Sequence, residues 1–206
     1  MTYEWDEEDQ VYRDEEGHAV RDAVLGSLLG LLIGKIAARL SGTELARRER
    51  RLTDPEAQER TQAELRKAHR MMAALGVGGL KQLTEPDRRQ ADQRVRREQV
   101  YLIRFYVQGR ELSDEAATAR IEQYASSSYG TFQAASKDAH RRNGWEYAEW
   151  VLEHGAQHCD DCPEQAARGR RPVSDFPDIG SLQCLGNCRC RLEYHTEPAE
   201  SSTQAA

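Results

Sequence analysis

The chain is predicted to be mainly α-helical: an extended helical body containing a helical hairpin, followed by a small irregular Cys-rich zinc-binding module. Three observations carry this. Apolar residues recur at helical spacing between successive capping signals. All five cysteines fall in one window, from Cys159 to Cys190. Of the 206 residues, 38% are apolar, 31% charged and 7% aromatic, a composition too lean for one thick core and suited to an elongated helical protein or one that buries surface on assembly.

The first segment is an acidic leader, residues 1–17, in which "EWDEEDQVYRDEE" is nearly all negative. It is expected to be disordered, as charge runs usually are. The leader has the wrong polarity for a secretory signal. The net charge of −6 excludes a chain that coats nucleic acid by charge alone. A small excess of arginine between Arg47 and Arg110 reads first as a solvated face and second as contact with an acidic partner, DNA phosphates included.

The helical body spans residues 18–154. "AVLGSLLGLLIGKIAARL", Ala23–Leu40, is the first apolar run. Its uncharged core ends before Lys35, short of the ~20 residues needed to span a bilayer. It reads as a buried or self-associating helix rather than a membrane segment, although length alone leaves the membrane open. Gly26, Gly30 and Gly34 recur every fourth residue and strip one face of side chains, which allows another helix to approach closely.

"LTDPEAQE" supplies Thr53 as an N-cap, Pro55 in the first turn and Glu56 to close a capping box. The helix that follows aligns Leu65, Ala68, Met72 and Leu75, and "GVGG" at Gly76–Gly79 ends it. "LTEPDRRQ" repeats the start signal with Thr84, Pro86 and Asp87. In the next helix Val95, Leu102, Ile103 and Tyr106 form a stripe that Val100, Tyr101, Phe105 and Val107 widen, with Gly109 as its stop. Ser113 caps a further helix, with Asp114 and Glu115 in its first turn and Ile121, Tyr124 and Phe132 inward. These two helices, joined by "GREL", form the predicted hairpin. "WEYAEWVLEH" reads as one more short helix with Trp145, Ala148, Val151 and Leu152 inward.

Residues 155–195 lose helical periodicity, and Pro172 and Pro177 forbid helix where they stand. Residues 196–206 read as a disordered polar tail. Within the window the spacing is Cys159-x2-Cys162, then about twenty residues, then Cys184-x3-Cys188-x-Cys190. A C-x2-C turn places two sulfurs on one side of a bend, and a second cluster beyond such a loop completes a tetrahedron. Thiolates suit Zn2+, and four of them leave no place for water, which makes the site structural. The loop has too few apolar residues to fold alone, so metal binding supplies folding energy, on the order of 10 kcal/mol in small zinc domains. Disulfides would leave one cysteine over and nothing indicates export. A redox C-x-x-C lacks its βαβ setting, and iron–sulfur runs are spaced differently. The favoured ligands are Cys159, Cys162, Cys188 and Cys190, with Cys184 as the substitute for Cys190 and His158 in reserve.

The stretches "WVLEHGAQHCDDCPEQAARG", "FPDIG" and "CLGNCRCRLEY" resemble the C-terminal part of the phage minor head proteins, the head-morphogenesis group that includes the Mu gpF-like proteins. The matching elements are Gly109–Ser113, Trp145 to Trp150, Cys159 and Cys162 with Gly169, Pro177, and Cys188-Arg189-Cys190 with Leu192. They cover about half of the chain. Two elements common in that group are absent: His-Pro before C-R-C, replaced by Cys184-Leu185-Gly186, and an Arg-Thr-Glu signature, where "QYASSSYGTF" stands.

The resemblance implies a low-copy virion component of the head interior or portal region. It would be made in the host cytoplasm, associate with portal or major capsid protein during head assembly, and aid DNA packaging or delivery. Arg168, Arg170, Arg171, Arg189 and Arg191 would surround a docking tip. The alternative is a zinc-stabilised nucleic-acid-binding regulator, against which the acidic "WEYAEWVLEH" counts. Catalysis is not expected: His140, His154, His158 and His195 form no triad and no H-E-x-x-H.

Overall fold

The computed structural model describes residues 4–6, 11–13, 22–108, 111–156, 158–183 and 188–198. It is mainly helical, with four long helices and a small C-terminal module. Strands β1 (Glu4–Asp6) and β2 (Val11–Arg13) pair antiparallel, and Arg13 Nε reaches Asp6 Oδ2 at 2.6 Å. The leader, expected without structure, therefore contains a short antiparallel strand pair. Pairs this short are marginal in water by themselves.

Helix α1 (Asp22–Arg48) buries Leu29, Ile33, Ile36 and Leu40. Its glycine face is bare: a Cβ placed on Gly26, Gly30, Gly34 or Gly42 would meet nothing within 4 Å. Among the described residues no neighbouring helix uses the close approach these glycines allow. Among the described residues no helix is long and apolar enough to cross a membrane.

Helix α2 (Asp54–Gly76) starts as its capping box requires. Thr53 N–H donates to Glu56 Oε2 at 2.8 Å, and Glu56 N–H donates to Thr53 Oγ1 at 3.4 Å. Leu65, Ala68 and Met72 are buried. The helix ends at Gly76, and Gly78 and Gly79 take positive φ of 92° and 125°, conformations that cost other residues more. Gly76 also permits a close crossing: its Cβ would lie 2.4 Å from the Phe132 carbonyl.

Helix α3 (Glu85–Gln108) opens on the second box, with Thr84 N–H donating to Asp87 Oδ2 at 2.9 Å. Val95, Leu102, Phe105 and Tyr106 are buried, but Val100, Tyr101, Ile103 and Val107 are exposed. The apolar face is thus narrower than the sequence suggests, because among the described residues only α2 packs extensively on it. The expected stop at Gly109 lies outside the described residues. Helix α4 (Asp114–Arg142) is capped by Ser113, whose Oγ accepts from Ala116 N–H at 3.2 Å, and buries Ile121, Tyr124 and Phe132.

Helix α2 packs extensively on α1, α3 and α4; α1 also packs on α4, whereas α3 and α4 touch slightly. The first core joins Leu29, Ile33, Leu40, Leu65, Met72, Leu102, Phe105 and Phe132. At one end, buried Arg47 is chelated by Glu44 (2.6 Å) and Asp54 (3.2 Å). The side-chain hydrogen bonds that Arg47 donates to Glu44 hold its pKa above the ordinary value despite burial. Arg48 extends the network to Glu44 and Asp114, so one cluster ties together the adjoining ends of α1, α2 and α4.

Strand β3 (Tyr147–Val151) replaces the helix expected for "WEYAEWVLEH". Its burial alternates, with Ala148 and Trp150 inside and Tyr147, Glu149 and Val151 partly exposed. The period is two, and aromatic and β-branched residues favour it. β3 is the middle strand of an antiparallel sheet with β4 (Arg171–Pro172) and β5 (Arg191–His195). Trp150 pairs with Leu192, and Tyr147 with His195 and Pro172. A short helix α5 (Asp161–Ala167) and a 3-10 turn, Val173–Asp175, fill the connection. The module therefore begins at β3, inside the range assigned from sequence to the helical body.

Candidate metal centre

Two chain segments bring the sulfurs together. The turn entering α5 carries the first pair: Cys162 N–H donates to the Cys159 carbonyl at 3.1 Å. The stretch leading into β5 carries the second, Cys188 and Cys190. Cys162 and Cys190 are wholly buried, Cys188 is nearly so, and Cys159 is partly exposed. Cys184 lies outside the described residues.

Cys159 Sγ lies 3.5 Å from Cys162 Sγ, which lies 4.0 Å from Cys188 Sγ. Ligands at ~2.3 Å around a tetrahedral ion stand ~3.8 Å apart, so both separations fit one ion. None of the four described cysteines is in a disulfide. His158 joins the cluster: its Nδ1 is 3.6 Å from Cys190 Sγ, and the donor atoms of His158, Cys162 and Cys190 all lie within 4.8 Å of one another. Its Nε2 meets the Glu153 carbonyl at 3.0 Å. That contact favours the tautomer with the proton on Nε2 and frees Nδ1 as a donor. This group can hold a metal ion.

The electrostatics agree with the donor set. Contact with the Cys188 thiol, then burial, drives the Cys190 pKa far upward, while the Trp150 indole acts in the other direction. Crowded buried thiols resist ionisation unless a cation offsets their charge. Trp150 Nε1 is one of the buried donors without a hydrogen-bond partner, and a metal-bound thiolate at Cys190 is a suitable acceptor.

The module also has a real apolar core, which sequence reading underestimated. Trp150, Val173, Phe176, Ile179 and Leu192 surround the cysteines. Trp150 stacks on Phe176 with ring centroids 6.3 Å apart, and the Arg171 guanidinium lies 3.7 Å over the Phe176 ring.

Docking onto the helices is polar and tight. Asp178 accepts from Arg94 Nη2 on α3 and from Lys137 Nζ on α4, both at 2.8 Å. Burial raises the Asp178 pKa, but the Lys137 hydrogen bond and both cations outweigh it and leave the pKa below the ordinary range. Lys137 also donates to the Phe176 carbonyl at 3.1 Å. Gly130 of α4 faces the Ile179 carbonyl, which a Cβ there would approach to 3.0 Å. Tyr129 Oη donates to the Cys190 carbonyl at 3.3 Å. Sequence reading quoted "FPDIG" only as part of a motif; Asp178, which meets one cation from each of two helices, was the unread signal.

Four of the five arginines expected around a docking tip have partners within the chain, whereas Nε of Arg170 is buried without a hydrogen-bond partner among the described residues. Arg168 pairs with Glu164 at 2.5 Å, and Arg191 with Glu153 and Glu193 at 3.4 and 2.8 Å. Arg171 donates to Gln165, and Arg189 reaches Ser126 Oγ at 3.5 Å. Compared with known protein families, with curated proteins and with solved structures, the chain matches none.

Proposed function

We propose that the chain is a phage minor head protein: a low-copy structural component that joins portal or capsid protein during head assembly and is carried in the virion. The observation that supports this reading is the convergence of the C-x2-C pair with the C-R-C pair, the two elements that carry the resemblance, on one buried cluster. The ion is Zn2+, held by Cys159, Cys162, Cys188 and Cys190. Such a shell is closed, so the ion fixes shape rather than activating water. His158 sits beside Cys190 as an alternative fourth donor.

A helical body ending in a rigid module suits assembly. The exposed glycine face of α1 and the exposed apolar residues of α3 are surfaces for protein partners, with DNA contact through exposed arginines as a secondary role. The test is to read the frames that flank this one and, where they encode portal and major capsid proteins, to co-express them with this chain and sediment the particles. The expected result is this protein in head-sized particles at a few copies each. Its exclusion from particles, or reading frames beside it that encode no head proteins, would overturn the assignment.

A further inference from the structure

The space between α3 and α4 is a groove, because α2 packs on both helices while they barely touch each other. The groove encloses about 380 Å³ and is closed at one end by Asp178, Gly180 and Ser181 of the module loop. Its lining includes Arg97 on α3 and Arg120 on α4. Both are exposed, and among the described residues neither forms an ion pair with a carboxylate; Arg120 donates to the Gln123 amide at 3.1 Å. Tyr101, also in the lining, leaves 58% of its surface in solvent. Val100, Ile103 and Val107 continue an exposed apolar surface along the same helix.

Two acidic groups share the groove. Asp178 is neutralised by Arg94 and Lys137. Glu98 directs Oε2 inward, 3.5 Å from Nε2 of buried His69. The hydroxyl of Tyr124 and these two atoms are buried and lack hydrogen-bond partners. The open rim is therefore cationic and aromatic.

One segment of this chain has the complementary chemistry. Between Glu4 and Glu16 the leader carries eight carboxylates against one arginine, with Trp5 and Tyr12 among them. Its two described strands bond to each other and make no extensive contact with α3 or α4 among the described residues. A three-residue strand pair is marginal without a surface to rest on.

We propose that the α3/α4 groove receives the acidic leader of a second copy of this chain. Carboxylates of the leader engage Arg97 and Arg120, and an aromatic residue lies against Tyr101. Such a contact joins two different surfaces, so it propagates head to tail and closes into a ring where the rotation allows. It does not depend on the virion role.

The test uses the full chain with a photo-crosslinking phenylalanine analogue at position 101. This unlabelled protein is mixed with an equal amount of wild-type protein labelled with 15N, irradiated and digested with trypsin. The expected product joins position 101 to the 15N-labelled leader peptide that ends at Arg13. Its yield should fall about tenfold when Arg97→Glu and Arg120→Glu are introduced into the crosslinker-bearing chain, the scale of two lost charge contacts. Circular dichroism confirms that the variant folds, since both residues are exposed. Absence of a leader peptide at position 101, crosslinks confined to single copies, or a yield unchanged by the double substitution would each overturn the proposal.

Discussion

Cys162 is the hub of the sulfur cluster, within 3.5 Å of Cys159 and 4.0 Å of Cys188. Changing it to serine is expected to abolish zinc binding, as are the same changes at Cys188 and Cys190. Cys159 and His158 compete for the fourth place. Thiolate is the softer ligand, so Cys159→Ser should release the metal while His158→Ala retains about one zinc per chain. Metal analysis of the five purified variants decides this, and the reverse pattern would transfer the place to His158. Proton uptake provides a second residue-scale prediction. His140 stacks on Tyr194 with centroids 3.8 Å apart. Burial lowers its pKa below 6.5, a hydrogen bond to the Ser136 carbonyl offsetting part of the effect. The unfolded chain then takes up this proton first as pH falls. Stability is fully present above about pH 6.5 and declines below it. His140→Phe keeps the stack and should flatten that decline in urea titrations between about pH 7 and pH 5. An unchanged slope would show that other groups govern it.

The elements were legible in proportion to how local their signals are. Thr53, Thr84 and Ser113 announce three helix starts because a cap is satisfied within four residues, whatever the rest of the chain does. "WEYAEWVLEH" failed for the opposite reason. Its choice between periods of 3.6 and 2 is settled by pairing with residues 191–195, a long-range fact that the stretch itself does not contain. The C-x2-C and C-x-C spacings pointed to the sulfur cluster, whereas the places of His158, Trp150 and Asp178 needed the fold. Glycines on two helices give opposing predictions. Gly76→Ala would push a Cβ onto the Phe132 carbonyl and should cost about 2 kcal/mol in chemical denaturation, as overpacking does. Gly30→Ala meets nothing within 4 Å and should stabilise the isolated protein by up to about 1 kcal/mol through helix propensity. A loss of stability at Gly30 would mean that another surface already rests there in solution.

Among the described residues the apolar core falls into three clusters, two among the helices and one around the cysteines. Chelation under reducing conditions should therefore act unevenly. Far-ultraviolet circular dichroism is expected to keep most of its helical signal, while hydrogen exchange at β3 and β5 accelerates. If β3 and β5 stay fully protected after exhaustive chelation, the apolar core around Trp150 suffices and the ion is dispensable. The length of α4 adds a mechanical consequence. Its 29 residues extend about 43 Å at the helical rise per residue. Ile121, near one end, belongs to the helical core; near the other, Lys137 grips the module. A single stiff rod thus serves both regions. Any tilt forced on the cysteine-bearing end must swing the opposite end as a lever does, so strain applied at one pole of the protein is felt at the other without unfolding anything between them.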